Sequence, residues 1–166
     1  MEWVLHGVLA EMSGRADSIY VWHLLMPLTA PVDVLDLSWS DRIGGGSQTY
    51  IAGSKEADAA LLEAANRARR AHRENSIVVD SPGGADNVHM QEALAYGLLV
   101  GGDVGSASEV LGRVLRYQPS RDWETEMSER AGTVRRLLDE SDVSGALDLI
   151  GGWRTATLDS LGLLHR

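Results

Sequence analysis

From Asp86 onward, apolar residues recur at intervals of three and four, the spacing that lines one face of a helix. This pattern predicts helices over about 88–100, 105–117, 122–139 and 142–161. Asp103 and Asp142 stand where N-caps belong, and Pro119-Ser120 separates the second helix from the third. Trp123, Met127, Arg130, Val134, Leu137 and Leu138 trace the inner stripe of the third helix, with Arg130 as its one charged member. Gly151-Gly152 lies inside the last helix and is expected to weaken or kink it.

The N-terminal half has a different rhythm. Trp3, Val4, Leu5, Val8, Leu9 and Met12 fall at helical spacing and predict a short amphipathic helix ended by Ser13-Gly14. Ile19 to Met26 is rich in β-branched and aromatic residues, which favours a strand. After Pro27 and Pro31, residues 34–40 alternate with period two, which predicts a second, half-buried strand. The two runs are expected to pair antiparallel. Ser54 caps an Ala-rich helix over 55–73, and the apolar run 76–80 suggests a third strand. Strands are thus segregated from the run of C-terminal helices, so the predicted class is α+β. A small antiparallel sheet with helices forms the N-terminal half, followed by four helices stacked as two hairpins. The expectation is one domain over 1–166, with an α+β subdomain over 1–84 and an all-helical one over 85–166.

Residues 89–119, HMQEALAYGLLVGGDVGSASEVLGRVLRYQP, resemble one tetratricopeptide-type helical hairpin. Leu94, Ala95 and Leu98 sit where that repeat has its Leu, small residue and Tyr. Gly102-Asp103 sits at the turn, and Ala107, Leu111 and Pro119 match the second-helix Ala, the aromatic position and the closing Pro. Gln91 replaces the repeat's Trp, and Leu replaces both aromatics. Ala146 repeats Ala107 after 39 residues. The resemblance implies a partner-binding helical surface. It places His89, Glu92 and Tyr96 on the groove side of the first helix.

Composition narrows the function classes. There is no cysteine, so disulfides, thiolate catalysis and thiolate metal ligation are excluded. No uninterrupted apolar run reaches the length of a membrane span. Glu2 stands where a signal peptide would carry a basic residue, so a cytoplasmic location is the expectation. One lysine against fourteen arginines, no Phe and abundant Ala and Gly fit a GC-rich bacterial genome. The net charge is −9. Residues 1–41 carry six acids and one base, and residues 122–148 carry eight acids and three bases. Such a surface repels nucleic acid and attracts a basic protein. Arg67, Arg69, Arg70 and Arg73, the one basic cluster, complement a helix C-terminus.

No catalytic motif is present. The five histidines show no metal-binding spacing, and no GxSxG elbow or P-loop occurs. No metal or cofactor is implied. An alternative enzyme or ligand-binding reading needs His23, Asp36, Arg42 and His89 to converge in a pocket between sheet and helices. The favoured reading is a non-catalytic interaction module that binds a basic protein, with self-association left open. In general character the chain resembles bacterial immunity proteins and adaptor modules. Its expected partner-binding residues are His89, Glu92, Tyr96, Tyr20 and Trp22.

Overall fold

In the computed structural model, residues 3–15, 17–31, 40–74 and 87–163 are described. Strands β1 (Val4–Met12), β2 (Ser18–Pro27), β3 (Asp41–Arg42) and β4 (Tyr50–Ile51) come first. Helices α1 (Lys55–Glu74), α2 (Val88–Val100), α3 (Val104–Val114), α4 (Asp122–Asp139) and α5 (Val143–Ser160) follow. The class is α+β. Among the described residues, no helix is long and apolar enough to cross a membrane.

The chain divides into two units. One holds β1, β2 as far as Met26, β3, β4 and α1; the other holds Pro27–Pro31 and α2–α5. The short segment after β2 therefore belongs with the helices. The Thr29 hydroxyl is buried and donates to the Ala93 carbonyl of α2 at 3.4 Å.

In the sheet unit, β2 is central. It is hydrogen-bonded to β1, and to both β3 and β4. The register pairs Trp22 with Arg42, His23 with Asp41, Ser18 with Ile51 and Ile19 with Tyr50, all antiparallel. Helix α1 packs against β1 and β4. Its Ala57, Ala60 and Ala64 share a core with Ile19, Val21 and Ile43. These alanines, spaced three and four apart, give the helix a narrow face that lets it lie close to the strands. Ser54 caps it, its Oγ accepting from the Ala57 amide at 3.1 Å, as its position in the sequence suggested. Gly44 turns the chain after β3 at φ +82. A Cβ there would lie 2.6 Å from the Tyr50 hydroxyl, which donates to the Ile43 carbonyl at 3.2 Å. Only glycine satisfies both the backbone and that contact.

The expected helix at 3–12 is a strand. Its i, i+4 pattern is genuine, but Gly7 lies mid-segment and weakens so short a helix. β2 runs back beside β1, with the Ser13 amide donating to the Ser18 carbonyl at 2.8 Å. Pairing with β2 engages the backbone of β1 along one edge, and tertiary structure overrides local periodicity. The strands expected at 34–40 and 76–80 lie outside the described residues, apart from Ser40. Its hydroxyl bridges the Leu25 amide at 3.1 Å and carbonyl at 3.2 Å.

The helical unit is built from two hairpins, α2–α3 and α4–α5, turned by the same device. The Gly102 amide donates to the Leu99 carbonyl and the Asp103 amide to the Leu98 carbonyl. Likewise, Ser141 donates to Leu138 and Asp142 to Leu137. This is the paired closure in which one left-handed residue ends a helix. Gly102 has φ +88, and Ser141 has φ +63. The next residue immediately caps the following helix. The Asp103 carboxylate accepts from the Ser106 amide at 3.0 Å, and the Asp142 carboxylate from the Gly145 amide at 2.8 Å. Ala95, Ala107, Ala131 and Ala146 are fully buried in this unit, one on each helix. Helix α5 continues through Gly151-Gly152.

Candidate protein-interaction surface

The charged member of the α4 stripe has a partner. Arg130 faces inward beside Met127 and Val134 and meets Glu92 of α2. Its Nε donates to Glu92 Oε1 at 3.0 Å and its Nη2 to Oε2 at 3.1 Å. The Tyr96 hydroxyl donates to the same Oε1 at 3.0 Å. The Tyr96 ring packs on Trp153 of α5, with centroids 5.4 Å apart. Three helices therefore meet around one carboxylate. The Glu92 side chain is 0% exposed and Arg130 is 21% exposed.

These contacts govern protonation. Burial, and then the neighbouring Glu92 charge and hydrogen bond, push the Tyr96 hydroxyl far above its usual range, so it stays a neutral donor. Burial opposes the Arg130 charge, but its hydrogen bonds to Glu92 and the Glu92 charge outweigh that and raise its pKa. The cluster is a buried ionic clasp.

Glu92 and Tyr96 are consequently not on an open groove wall, where the resemblance had placed them. Both are buried, because the inward Arg130 draws the Glu92 carboxylate between α2 and α4. His89, one turn earlier on α2, lies nearer the surface. Its ring meets that of Trp123 in a T-shaped contact, with centroids 6.4 Å apart. Trp123, expected within the buried stripe, is 43% exposed. It sits in the first turn of α4, where the stripe leaves the core. Asp122, Glu126 and Glu129 are exposed on the same helix, spaced four and three apart. That spacing sets them in a row beside Trp123. The result is an indole held against His89 next to three exposed carboxylates. The sequence offered one cue: Trp123 begins its helix among Asp122, Glu124 and Glu126.

Tyr20 and Trp22 belong to the sheet unit, and both are engaged there. The Arg42 guanidinium carbon lies 3.9 Å from the Tyr20 ring centre and 4.4 Å from that of Trp22. The Trp22 indole donates to Glu11 Oε2 at 2.9 Å. Arg42 also donates to the Gly46 carbonyl. This ladder of ring, guanidinium and ring is a cation–π arrangement across two strands.

Of the residues grouped in the alternative pocket, Arg42 and His23 diverge within the sheet unit. Arg42 pairs in register with Trp22, and His23 with Asp41. Neighbouring residues on a strand point to opposite faces, so Arg42 and His23 lie on opposite sides of the sheet. Asp36 is outside the described residues, and His89 belongs to the helical unit. Among the described residues, no three His, Asp or Glu side chains are grouped to hold a metal ion.

In the basic cluster of α1, Arg67 pairs with Glu63 at 2.5 Å and Arg69 donates to Asn66 at 3.3 Å. Comparison with protein-family models, curated proteins and solved structures finds no match to this chain.

Proposed function

We propose that the protein is a non-catalytic interaction module that binds a basic protein through the outer face of α4. Its two hairpins act as a short tetratricopeptide-like stack, and its role is of the adaptor or immunity kind. The observation that carries this reading is the half-exposed Trp123, held by His89 and flanked by Asp122, Glu126 and Glu129. Tryptophan anchors dominate many interfaces, and carboxylates around one steer a cationic partner and select its sign. The clasp beneath supports the reading in a second way. Arg130 and Glu92 tie α4 to α2, so the surface is presented by a rigid pair of helices. The repeated turn at Gly102 and Ser141 supports the reading of the helical unit as two related hairpins.

The test is affinity capture from a bacterial lysate at low and high salt. The wild-type chain is compared with Trp123→Ala and with a variant carrying Lys at 122, 126 and 129. A basic protein held at low salt by the wild type alone supports the proposal. Equal retention by all three chains, or retention independent of salt, contradicts it.

A further inference from the structure

In the sheet unit, two histidines meet on the face that carries α1. His6 of β1 and His23 of β2 lie with ring centroids 6.2 Å apart and planes within 9°. His23 is 6% exposed, and its Nε2 is buried with no hydrogen-bond partner among the described residues. It shares its face with Ile19 and Val21, which are core residues packed with Ala57, Ala60 and Ala64 of α1. An imidazole in this setting is neutral, because a charged ring there would be desolvated and poorly paired.

Among the described residues, the charges that act on His23 are few. From β3, Asp41 lies opposite His23 in register and favours its protonation. From α1, Arg67 opposes it, and Arg67 is itself paired with Glu63. From β1, the His6 ring lies stacked against it. β4 brings Tyr50, whose hydroxyl donates to Ile43 at the other end of β2. Among the described residues, the opposing charge stands on α1 and the attractive one is on the exposed Asp41.

We propose that His23, stacked on His6, is a proton-operated latch that holds α1 on the sheet when its ring is neutral and releases it when that ring is protonated. Release would uncover the alanine face of α1 and the strand residues beneath it. Burial, partly offset by Asp41 and reinforced by Arg67, holds the His23 pKa below its ordinary value of 6.5. The unfolded or opened form therefore binds more protons below that value. The latch is fully effective above about pH 6.5 and weakens as the pH falls below it.

The test is hydrogen exchange on the full chain at pH 7.5 and 5.5, expressed as protection factors corrected for intrinsic rates. In the wild type, α1 loses protection below pH 6.5, by up to about tenfold per pH unit for one proton, while α2–α5 hold theirs. In His23→Leu, α1 protection is nearly flat over the same range. Unchanged α1 protection in the wild type overturns the proposal, as does an equally steep loss in the variant. If His23→Leu does not fold, the wild-type His23 ring is titrated by NMR. A midpoint below 6.5 that coincides with α1 opening supports the latch, and a midpoint at or above 6.5 overturns it.

Discussion

Arg130 of α4 holds Glu92 of α2 through two nearly equal hydrogen bonds, 3.0 and 3.1 Å long, inside the helical unit. Both carboxylate oxygens are engaged, and Tyr96 adds a third donor. A buried carboxylate supplied in this way is well satisfied, but it depends on its partner.

Arg130→Met therefore leaves the Glu92 charge buried with only the Tyr96 hydroxyl. We expect a loss of about 3 kcal/mol, at the lower end for a buried pair because Arg130 is partly solvated. The double variant Arg130→Met/Glu92→Leu should recover most of that loss, since two apolar side chains replace the pair without an orphan charge. Urea unfolding of the two variants and the wild type measures both values. A double variant as unstable as the single one would show that packing, not charge, sets the cost.

Ser141 adopts φ +63 at the turn where the equivalent residue of the first hairpin is Gly102. A side chain in this region carries a steric penalty that glycine lacks. Ser141→Gly should raise stability by about 1 kcal/mol, and Gly102→Ala should lower it by a similar amount. Thermal melts read the two opposite shifts. A destabilised Ser141→Gly would mean that loss of unfolded-chain rigidity outweighs the relief.

Glu124 secures the start of α4. Its Oε2 accepts from the Ser120 amide at 2.6 Å, the Ser120 hydroxyl at 2.8 Å and the Arg121 amide at 3.1 Å. Its Oε1 accepts from the Tyr117 hydroxyl at 3.0 Å. The Ser120 backbone donor is the largest of the influences that hold its carboxyl below the ordinary 4.5. A depressed carboxylate stabilises the fold above its unfolded pKa and loses that contribution as the pH falls through its folded value. Glu124→Gln should therefore fray the first turn of α4 at neutral pH and flatten the acid limb of stability below about pH 4.5. Hydrogen exchange at residues 122–126 and melts from pH 7 to 3 test this. An unchanged acid limb would assign that pH dependence to other carboxylates.

Much of the helical half was legible because its signals are local. Asp103 and Asp142 announce N-caps, and the apolar spacing of 88–100 and 122–139 survives in α2 and α4. The predicted end of α3 extends past the observed Val114, because residues 115–117 continue as turns with hydrogen bonds from Arg116 to Arg113 and Tyr117 to Val114. Residues 4–12 were misread because their partner strand lies beyond a turn, and periodicity carries no information about pairing. The site shows the same division. The odd arginine of the α4 stripe was visible, but its partner stands 38 residues away on another helix. Only the fold shows that Glu92 and Tyr96 turn inward to meet it while Trp123 turns outward.

The most direct measurement is the affinity of the captured basic protein for the wild-type chain and for Trp123→Ala, by calorimetry, with circular dichroism confirming that both are folded. An anchor tryptophan at an interface centre is worth about 2–4 kcal/mol, so the variant should bind some thirty- to a thousandfold more weakly. Binding should also fall with salt. Equal affinity of the two folded chains would contradict the α4 face as the docking surface.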